Sequence, residues 1–245
     1  MKALEEIWAD RRYEREPTYT RHLGLMEQPT AYAAFGAHPE FAEAMRLVGQ
    51  EVKARALDLG RVWSMILNIK HAAARCPGAA FAELGVWRGC TAALIALYAK
   101  ELDRKMYLAD TFAGFPQAHF EPGMGEGKEN AFKDTTLDIA RQFVGDYPGN
   151  RWIVGMFPDA ATAEMRDERF AFVSIDVDLY LPVLEGLRFF WPRMAPGGIV
   201  FVHDYSSGHW PGATRAVDEF CAGNGVAGIV LPDAAGSYAL ARQPG

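Results

Sequence analysis

Cysteine is scarce in this chain of 245 residues: there are three, Cys76, Cys90 and Cys221, and no two stand at Cys-x-x-Cys spacing. That excludes a disulfide framework and a thiolate zinc site, and it points to a reducing cytoplasm. Basic clusters are missing as well. The formal net charge is −6 and Lys and Arg form no block, so no nucleic-acid partner is expected, because a phosphate backbone needs a positive patch. No apolar run approaches the roughly 18 residues of a membrane span, and residues 1–16, rich in Glu and Arg, lack the apolar stretch of a secretory signal. The expectation is a soluble, cytoplasmic protein with no membrane partner. The G-x-G-x-x-G dinucleotide fingerprint is absent too, which disfavours hydride transfer with a nicotinamide cofactor. There is no internal repeat and no low-complexity tract. What is plentiful is apolar material: half of the residues are hydrophobic, enough for the core of one α/β domain with additions.

The pattern changes near residue 76. Residues 1–75 carry no convincing strand; 40–57 and 60–74 place apolar residues at helical spacing (Phe41, Met45, Leu47, Val48, then Val62, Met65, Ile66, Ile69). This predicts an N-terminal helical segment, 1–75, that packs over the strand ends as a lid or a dimerisation element. From 76 to 245 strands and helices alternate. Strands are expected near 79–84, 106–110, 151–156, 170–175, 198–203, 226–231 and 237–241, with helices near 90–103, 135–146, 159–166, 180–194 and 212–223 between them. Crossovers of this length imply a doubly wound, mostly parallel, seven-stranded Rossmann-like sheet. The last two strands are separated only by 232–236, which predicts a hairpin and one antiparallel strand at the sheet edge.

Chemistry-bearing residues collect at the predicted strand ends. Asp176-Val177-Asp178-Leu179-Tyr180 follows the apolar run 170–175, and His203-Asp204-Tyr205 follows 198–202, with His203 27 residues after Asp176. In a parallel α/β sheet the carboxyl ends of the strands line one edge, and ligands bind in the crevice outside it. Asp176, His203 and Asp204 therefore converge on a place suited to a divalent cation. For Asp178, immediately before a helix, capping of the helix N-terminus is the better explanation. The first strand leads into Glu83-Leu84-Gly85-Val86-Trp87-Arg88-Gly89; Gly85 permits a sharp turn and close approach of a ligand, and Gly89 close helix–strand packing. Asp110 ends the next strand, 27 residues beyond Glu83, where a carboxylate can accept both ribose hydroxyls of an adenosine-containing cofactor. His209 and Trp210 are placed either to line an acceptor pocket or simply to pack their loop. Residues 123–128, Gly-Met-Gly-Glu-Gly-Lys, lack the strand and the ending of a phosphate loop and read as a lid.

These pieces, together with Asp110-Thr111-Phe112-Ala113-Gly114-Phe115-Pro116, Asp134-Thr135-Thr136-Leu137, Gly155-Met156-Phe157-Pro158-Asp159, Ala195-Pro196-Gly197-Gly198 and Arg215-Ala216-Val217-Asp218-Glu219-Phe220, resemble in order the macrocin O-methyltransferase family of class I S-adenosylmethionine-dependent methyltransferases. The resemblance covers roughly residues 80–222. It implies a methyltransferase sheet that binds S-adenosyl-L-methionine over the first two strand ends, through Glu83, Gly85, Val86, Trp87, Asp110, Thr111, Phe112, Thr135 and Phe157. It also implies a Mg²⁺ held at Asp176, His203 and Asp204. In the family the place of His203 is an acid; imidazole offers nitrogen and removes a negative charge, which suits Mn²⁺ or another transition metal better than Mg²⁺.

Methyl transfer from a sulfonium to an alcohol is an in-line displacement, so the acceptor oxygen must be held near the methyl carbon. A metal orients that oxygen and lowers its pKa, and a general base removes the proton. His119, in the loop after the second strand, is the candidate base, with Asp176 as the second catalytic residue. The leading expectation is metal-assisted O-methylation of a small molecule, a sugar or polyol hydroxyl of a secondary metabolite. The competing readings are a cephalosporin hydroxylase-like enzyme and a non-catalytic scaffold of the same fold. Methylation of nucleic-acid amino groups is disfavoured by the absence of an Asn/Asp-Pro-Pro-aromatic segment, and a homodimer is the base-rate expectation for assembly.

Overall fold

The run of apolar residues at 170–175 has no alternation at all, the mark of a strand covered on both faces. In the computed structural model it forms the middle of a seven-stranded sheet. The structure describes residues 59–120, 128, 130–233 and 235–243. The strands are β1 (Ala80–Leu84), β2 (Met106–Asp110), β3 (Asn150–Val154), β4 (Phe170–Ile175), β5 (Met194–Val202), β6 (Ile229–Val230) and β7 (Tyr238–Ala241), in the order β3-β2-β1-β4-β5-β7-β6. All pairings are parallel except those of β7, which runs antiparallel to both β5 and β6. The helices are α1 (Leu59–Arg75), α2 (Cys90–Glu101), α3 (Leu137–Val144), α4 (Ala163–Asp167), α5 (Tyr180–Phe190) and α6 (Pro211–Asn224). One core layer joins α1, α2 and α3 to the sheet through Met65, Ile66, Ile69, Leu94, Ile95 and Ala140; the other joins α4, α5 and α6 through Met165, Leu184, Leu187, Ala216 and Val217. The doubly wound architecture is thus as the sequence led us to expect.

Three local expectations are corrected. The antiparallel strand is not at the edge: β7 lies between β5 and β6, with Leu240 fully buried, while the two-residue β6 takes the edge with Ile229 and Val230 exposed. A short edge of this kind limits pairing with other chains. The helix expected over 180–194 stops at Phe190, because Pro192 has no N–H and tightens the chain into a 3₁₀ turn, Trp191–Arg193. Strand β5 consequently begins at Met194, and a register shift beside Phe170 accommodates Pro196 and Gly197. Of the expected N-terminal segment, residues 59–75 form α1, which packs on β4 and β5 and shares the core of the first layer. The helix expected over 40–57 lies outside the described residues, as does all but Lys128 of the lid expected over 123–128.

The C-terminal end of α1 is finished by a distant cation. Arg104, before β2, donates to the carbonyls of Ala73 (2.8 Å), Cys76 (2.8 Å) and Ala79 (3.2 Å), with its guanidinium 5.3 Å from the Phe81 ring centre. It satisfies the Ala73 carbonyl of the last helical turn and two carbonyls of the segment that follows, and complements the helix dipole. Replacement Arg104→Met strands those carbonyls, and we expect a loss of about 3 kcal/mol in chemical denaturation; a loss below about 1 kcal/mol would show that water replaces the guanidinium without cost.

Candidate active site

Four strand ends build the site. After β1, Gly85 takes a left-handed φ of 93° and an added Cβ there would stand 1.9 Å from the carbonyl oxygen of Asp176, so glycine is required by the neighbouring strand rather than by a ligand. Gly89 likewise leaves room for α3, its added Cβ meeting Val144 at 2.9 Å and the Ala140 carbonyl at 3.2 Å. Asp110 at the end of β2 accepts from the backbone N–H of Trp87 and of Phe112, both at 2.7 Å, one on each carboxylate oxygen. Those bonds hold the turn residues Trp87 (φ 48°) and Phe112 (φ 52°) in conformations uncommon for large side chains. A third segment joins the loop: the Thr135 hydroxyl donates to the Trp87 carbonyl at 2.7 Å, and Trp87 Nε1 donates to Asp134 at 2.9 Å.

A cavity of about 310 Å³ opens outside these strand ends, within the size range of small-molecule sites. Of the residues singled out from the sequence, Gly85, Val86, Trp87, Asp110, Thr111, His119, Phe157, Asp176 and His203 line it. Four do not. Phe112 packs on Trp152, Thr135 serves the Trp87 loop, and Asp204 sits behind His203. Glu83 is fully buried beneath the floor. Burial pushes its carboxyl up to about 8 from an ordinary 4.5, outweighing the lowering effect of the neighbouring Thr91 and Ser174 hydroxyls. The folded chain therefore keeps a proton that the unfolded chain releases, and the contribution of Glu83 to stability falls as pH rises from 4.5 through 8. We expect Glu83→Gln to flatten that slope, read from denaturation midpoints at both ends of the range; parallel curves for parent and variant would exclude the buried neutral acid.

At the ends of β4 and β5 the acids meet. His203 Nδ1 lies 3.0 Å from Asp176 Oδ1 and 2.7 Å from Asp204 Oδ2, and donor atoms of Asp176, His203 and Asp204 all fall within 4.8 Å of one another. Burial opposes the charge on Asp176, but Arg61 and then His203 outweigh it and hold the carboxyl well below the usual range. For His203, burial and Arg61 favour the neutral ring, yet Asp176 and Asp204 prevail and raise its pKa to about 10. Asp178 is the residue whose role the sequence misplaced. The N-cap of helix α5 is Leu179, with no side-chain cap; Asp178 turns away at φ 56°, a left-handed conformation that Asp tolerates, and lines the cavity beside Asp176. Burial, then the charges of Asp176 and Asp204, raises its pKa well above the ordinary value, and its side chain is hydrogen-bonded to Asp204.

Arg61 on α1 was also missed. It lines the cavity and donates to Asp176 Oδ2 at 2.6 Å; nothing in the helical spacing of 60–74 marks it. His119, on the 3₁₀ turn Gln117–His119, faces the same cavity, and burial lowers its pKa. Loop packing is the role of the 209–210 pair: His209 is exposed, and its carbonyl accepts from Lys128 Nζ at 2.6 Å. Trp210 is buried edge-on to Phe115, with Lys128 Nζ 3.8 Å from its ring centre.

A family model described as macrocin O-methyltransferase matches residues 4–238. The chain belongs to that family. Mycinamicin III 3''-O-methyltransferase of Micromonospora griseorubida is 31% identical to this family member over 172 residues, 64% of this chain and 66% of the relative. A Streptomyces olivaceus enzyme, 8-demethyl-8-(2,3-dimethoxy-alpha-L-rhamnosyl)-tetracenomycin-C 4'-O-methyltransferase, is 27% identical over 145 residues, 51% of this chain and 52% of the relative. The matched stretches span from about half to just under two thirds of these relatives. Among solved structures, the O-methyltransferase NovP superposes with a TM-score of 0.65 at 24% identity, covering 92% of this chain and 99% of NovP, a likeness of fold. Among the described residues no helix is long and apolar enough to cross a membrane.

Proposed function

We propose that this chain is an S-adenosylmethionine-dependent O-methyltransferase that acts on a hydroxyl of a small molecule, a sugar or polyol of a secondary metabolite, with the help of a divalent cation. The observation that carries this reading is one cavity lined by Asp110 from β2, Asp176 from the end of β4 and His203 from the end of β5. A nucleoside-type acid and a cation-type donor cluster open on the same space. The family supports the reaction, and the relative named for a rhamnosyl-bearing substrate supports a sugar hydroxyl.

The donor set fits a cation. Spacings of 2.7 and 3.0 Å between His203 Nδ1 and the two carboxylate oxygens are those of adjacent ligands around an ion with bonds of about 2.0–2.2 Å. Asp176 and Asp204 would supply oxygen ligands and His203 nitrogen, a set that favours Mn²⁺, Fe²⁺ or Zn²⁺ over Mg²⁺. His203 must shed a proton to serve, so cation binding weakens as pH falls.

When bound, S-adenosylmethionine supplies an electrophilic methyl group and the cation lowers the pKa of the acceptor hydroxyl. Asp110 lines the cavity beside Trp87 and Thr111, where its carboxylate would accept the ribose hydroxyls. Phe115, Phe132 and Phe157 give the cavity an apolar wall that excludes water. His119, kept neutral by its burial, receives the hydroxyl proton as the acceptor is methylated.

Calorimetric titration of S-adenosylhomocysteine into the full chain, without metal and with Mg²⁺ or Mn²⁺, is the test. Binding should be weakened by Asp110→Ala by about tenfold or more and be untouched by His119→Ala, which should instead lower kcat by about 10²-fold or more on an accepted sugar substrate. Product mass from a panel of glycosylated acceptors reads the second arm. No cofactor binding under any metal would sink the proposal and favour the scaffold reading.

A further inference from the structure

Arg61 has no part in the chemistry above, yet it stands in the wall of the same cavity. It sits near the start of α1, 115 residues before Asp176 in the chain, and reaches Asp176 Oδ2 at 2.6 Å with only 13% of its side chain exposed. The other oxygen of that carboxylate, Oδ1, is the one 3.0 Å from His203 Nδ1. Asp176 is therefore divided, one oxygen held by a permanent cation and the other turned to the donor cluster.

Resting on the metal-assisted reading, we infer that Arg61 is a positioning and tuning residue of the cation site: it restricts Asp176 to ligation through Oδ1, and its charge keeps the divalent ion loosely held and electrophilic. A guanidinium stays protonated throughout the working pH range, so its contribution does not vary with conditions. A carboxylate shared with it donates less charge to a second cation, and two like charges near one carboxylate repel. Ligand charge count is a general means of setting the affinity of such sites. Here the two ionised ligands, Asp176 and Asp204, would cancel the charge of a divalent ion; Arg61 restores part of it, at a cost in affinity and with a gain in Lewis acidity. Its placement on α1 also makes the seating of that helix on β4 and β5 a condition for an ordered site.

The test is Mn²⁺ titration of the full chain, followed by the electron paramagnetic resonance of free Mn²⁺, for the parent, Arg61→Met and Arg61→Lys. S-adenosylhomocysteine affinity, thermal melting, and kcat and KM at saturating Mn²⁺ are measured alongside. The expected result is Mn²⁺ bound about tenfold more tightly by the Met variant, with kcat lowered about tenfold and S-adenosylhomocysteine affinity unchanged. The Lys variant should keep the parent's Mn²⁺ affinity. Equal or weaker Mn²⁺ binding by Arg61→Met, or a Lys variant indistinguishable from Met, overturns the inference while leaving the metal-assisted reading in place. Absence of Mn²⁺ binding by the parent overturns both. If Arg61→Met does not fold, Arg61→Gln, which keeps a donor to Asp176 without the charge, gives the same comparison.

Discussion

Asp204→Asn is expected to abolish detectable Mn²⁺ binding and lower kcat/KM by about 10³-fold, with S-adenosylhomocysteine affinity unchanged. The substitution is nearly isosteric and removes one charge from the cluster, at a residue that lies behind His203 rather than in the cavity wall. The corresponding change at Asp176 is a poorer experiment. Asp176→Asn removes the acid that pairs with Arg61, and a guanidinium left buried without its acid costs about 3–5 kcal/mol in stability. Lost activity in that variant would mix lost chemistry with lost folding. Asp204 lacks this liability, because its partners are His203, which keeps Asp176 at 3.0 Å as a second acid, and Asp178, whose hydrogen bond the new amide can receive. The comparison to make is metal binding against cofactor binding in one titration series. If Asp204→Asn retained both metal affinity and turnover, the cluster would be an internal ion-pair network with no cation to hold.

Much of the frame follows from local pattern. Strands β2 and β4 fall where continuous apolar runs place them, since a strand covered on both faces leaves little choice of residue. The elements that shifted did so for reasons a window of sequence does not hold. Pro192 ends α5 early, a local signal overridden in the reading by the apolar spacing around it. The position of β7 depends on which strand it pairs with, and a hairpin alone does not say which of its two strands lies inside. In the site, Asp176, His203 and Asp204 were legible because each ends a strand of a parallel sheet. Asp178 was misread as a cap because the cap position, Leu179, and the cavity-lining position differ by one residue and by a sign of φ. Glu83 matched a motif, but its burial is set by β2 and β4 on either side of β1. Arg61 left no trace at all: a polar residue on an amphipathic helix looks solvated until the fold brings a partner 115 residues away to meet it.

Gly85→Ala should be the most damaging single methyl among the described residues. The end of β1 is tied on both sides, the Gly85 N–H donating to the Ala109 carbonyl at 2.9 Å and the Asp176 N–H donating to the Leu84 carbonyl at 2.8 Å. Between these bonds Gly85 holds a φ of 93°, and a Cβ there would overlap the Asp176 carbonyl, 1.9 Å from its oxygen and 2.6 Å from its carbon. Both obstructing atoms are backbone, so no rotamer change relieves them. Relief requires β1 and β4 to part at the place where the loop after β1 meets the Asp176, His203 and Asp204 cluster. We expect a loss of more than about 4 kcal/mol in chemical denaturation, and in whatever folded protein remains, weaker binding of S-adenosylhomocysteine and of Mn²⁺ together. Gly89→Ala is the matched control. Its obstruction is chiefly the Val144 side chain, which can turn aside, and a loss nearer 1–2 kcal/mol with metal binding intact is expected, roughly the cost of a left-handed alanine. Joint loss of the two ligands in Gly85→Ala and not in Gly89→Ala would mean that one backbone contact positions both halves of the site. A Gly85→Ala protein with the stability and Mn²⁺ affinity of the parent would instead mean that the two strand ends move independently.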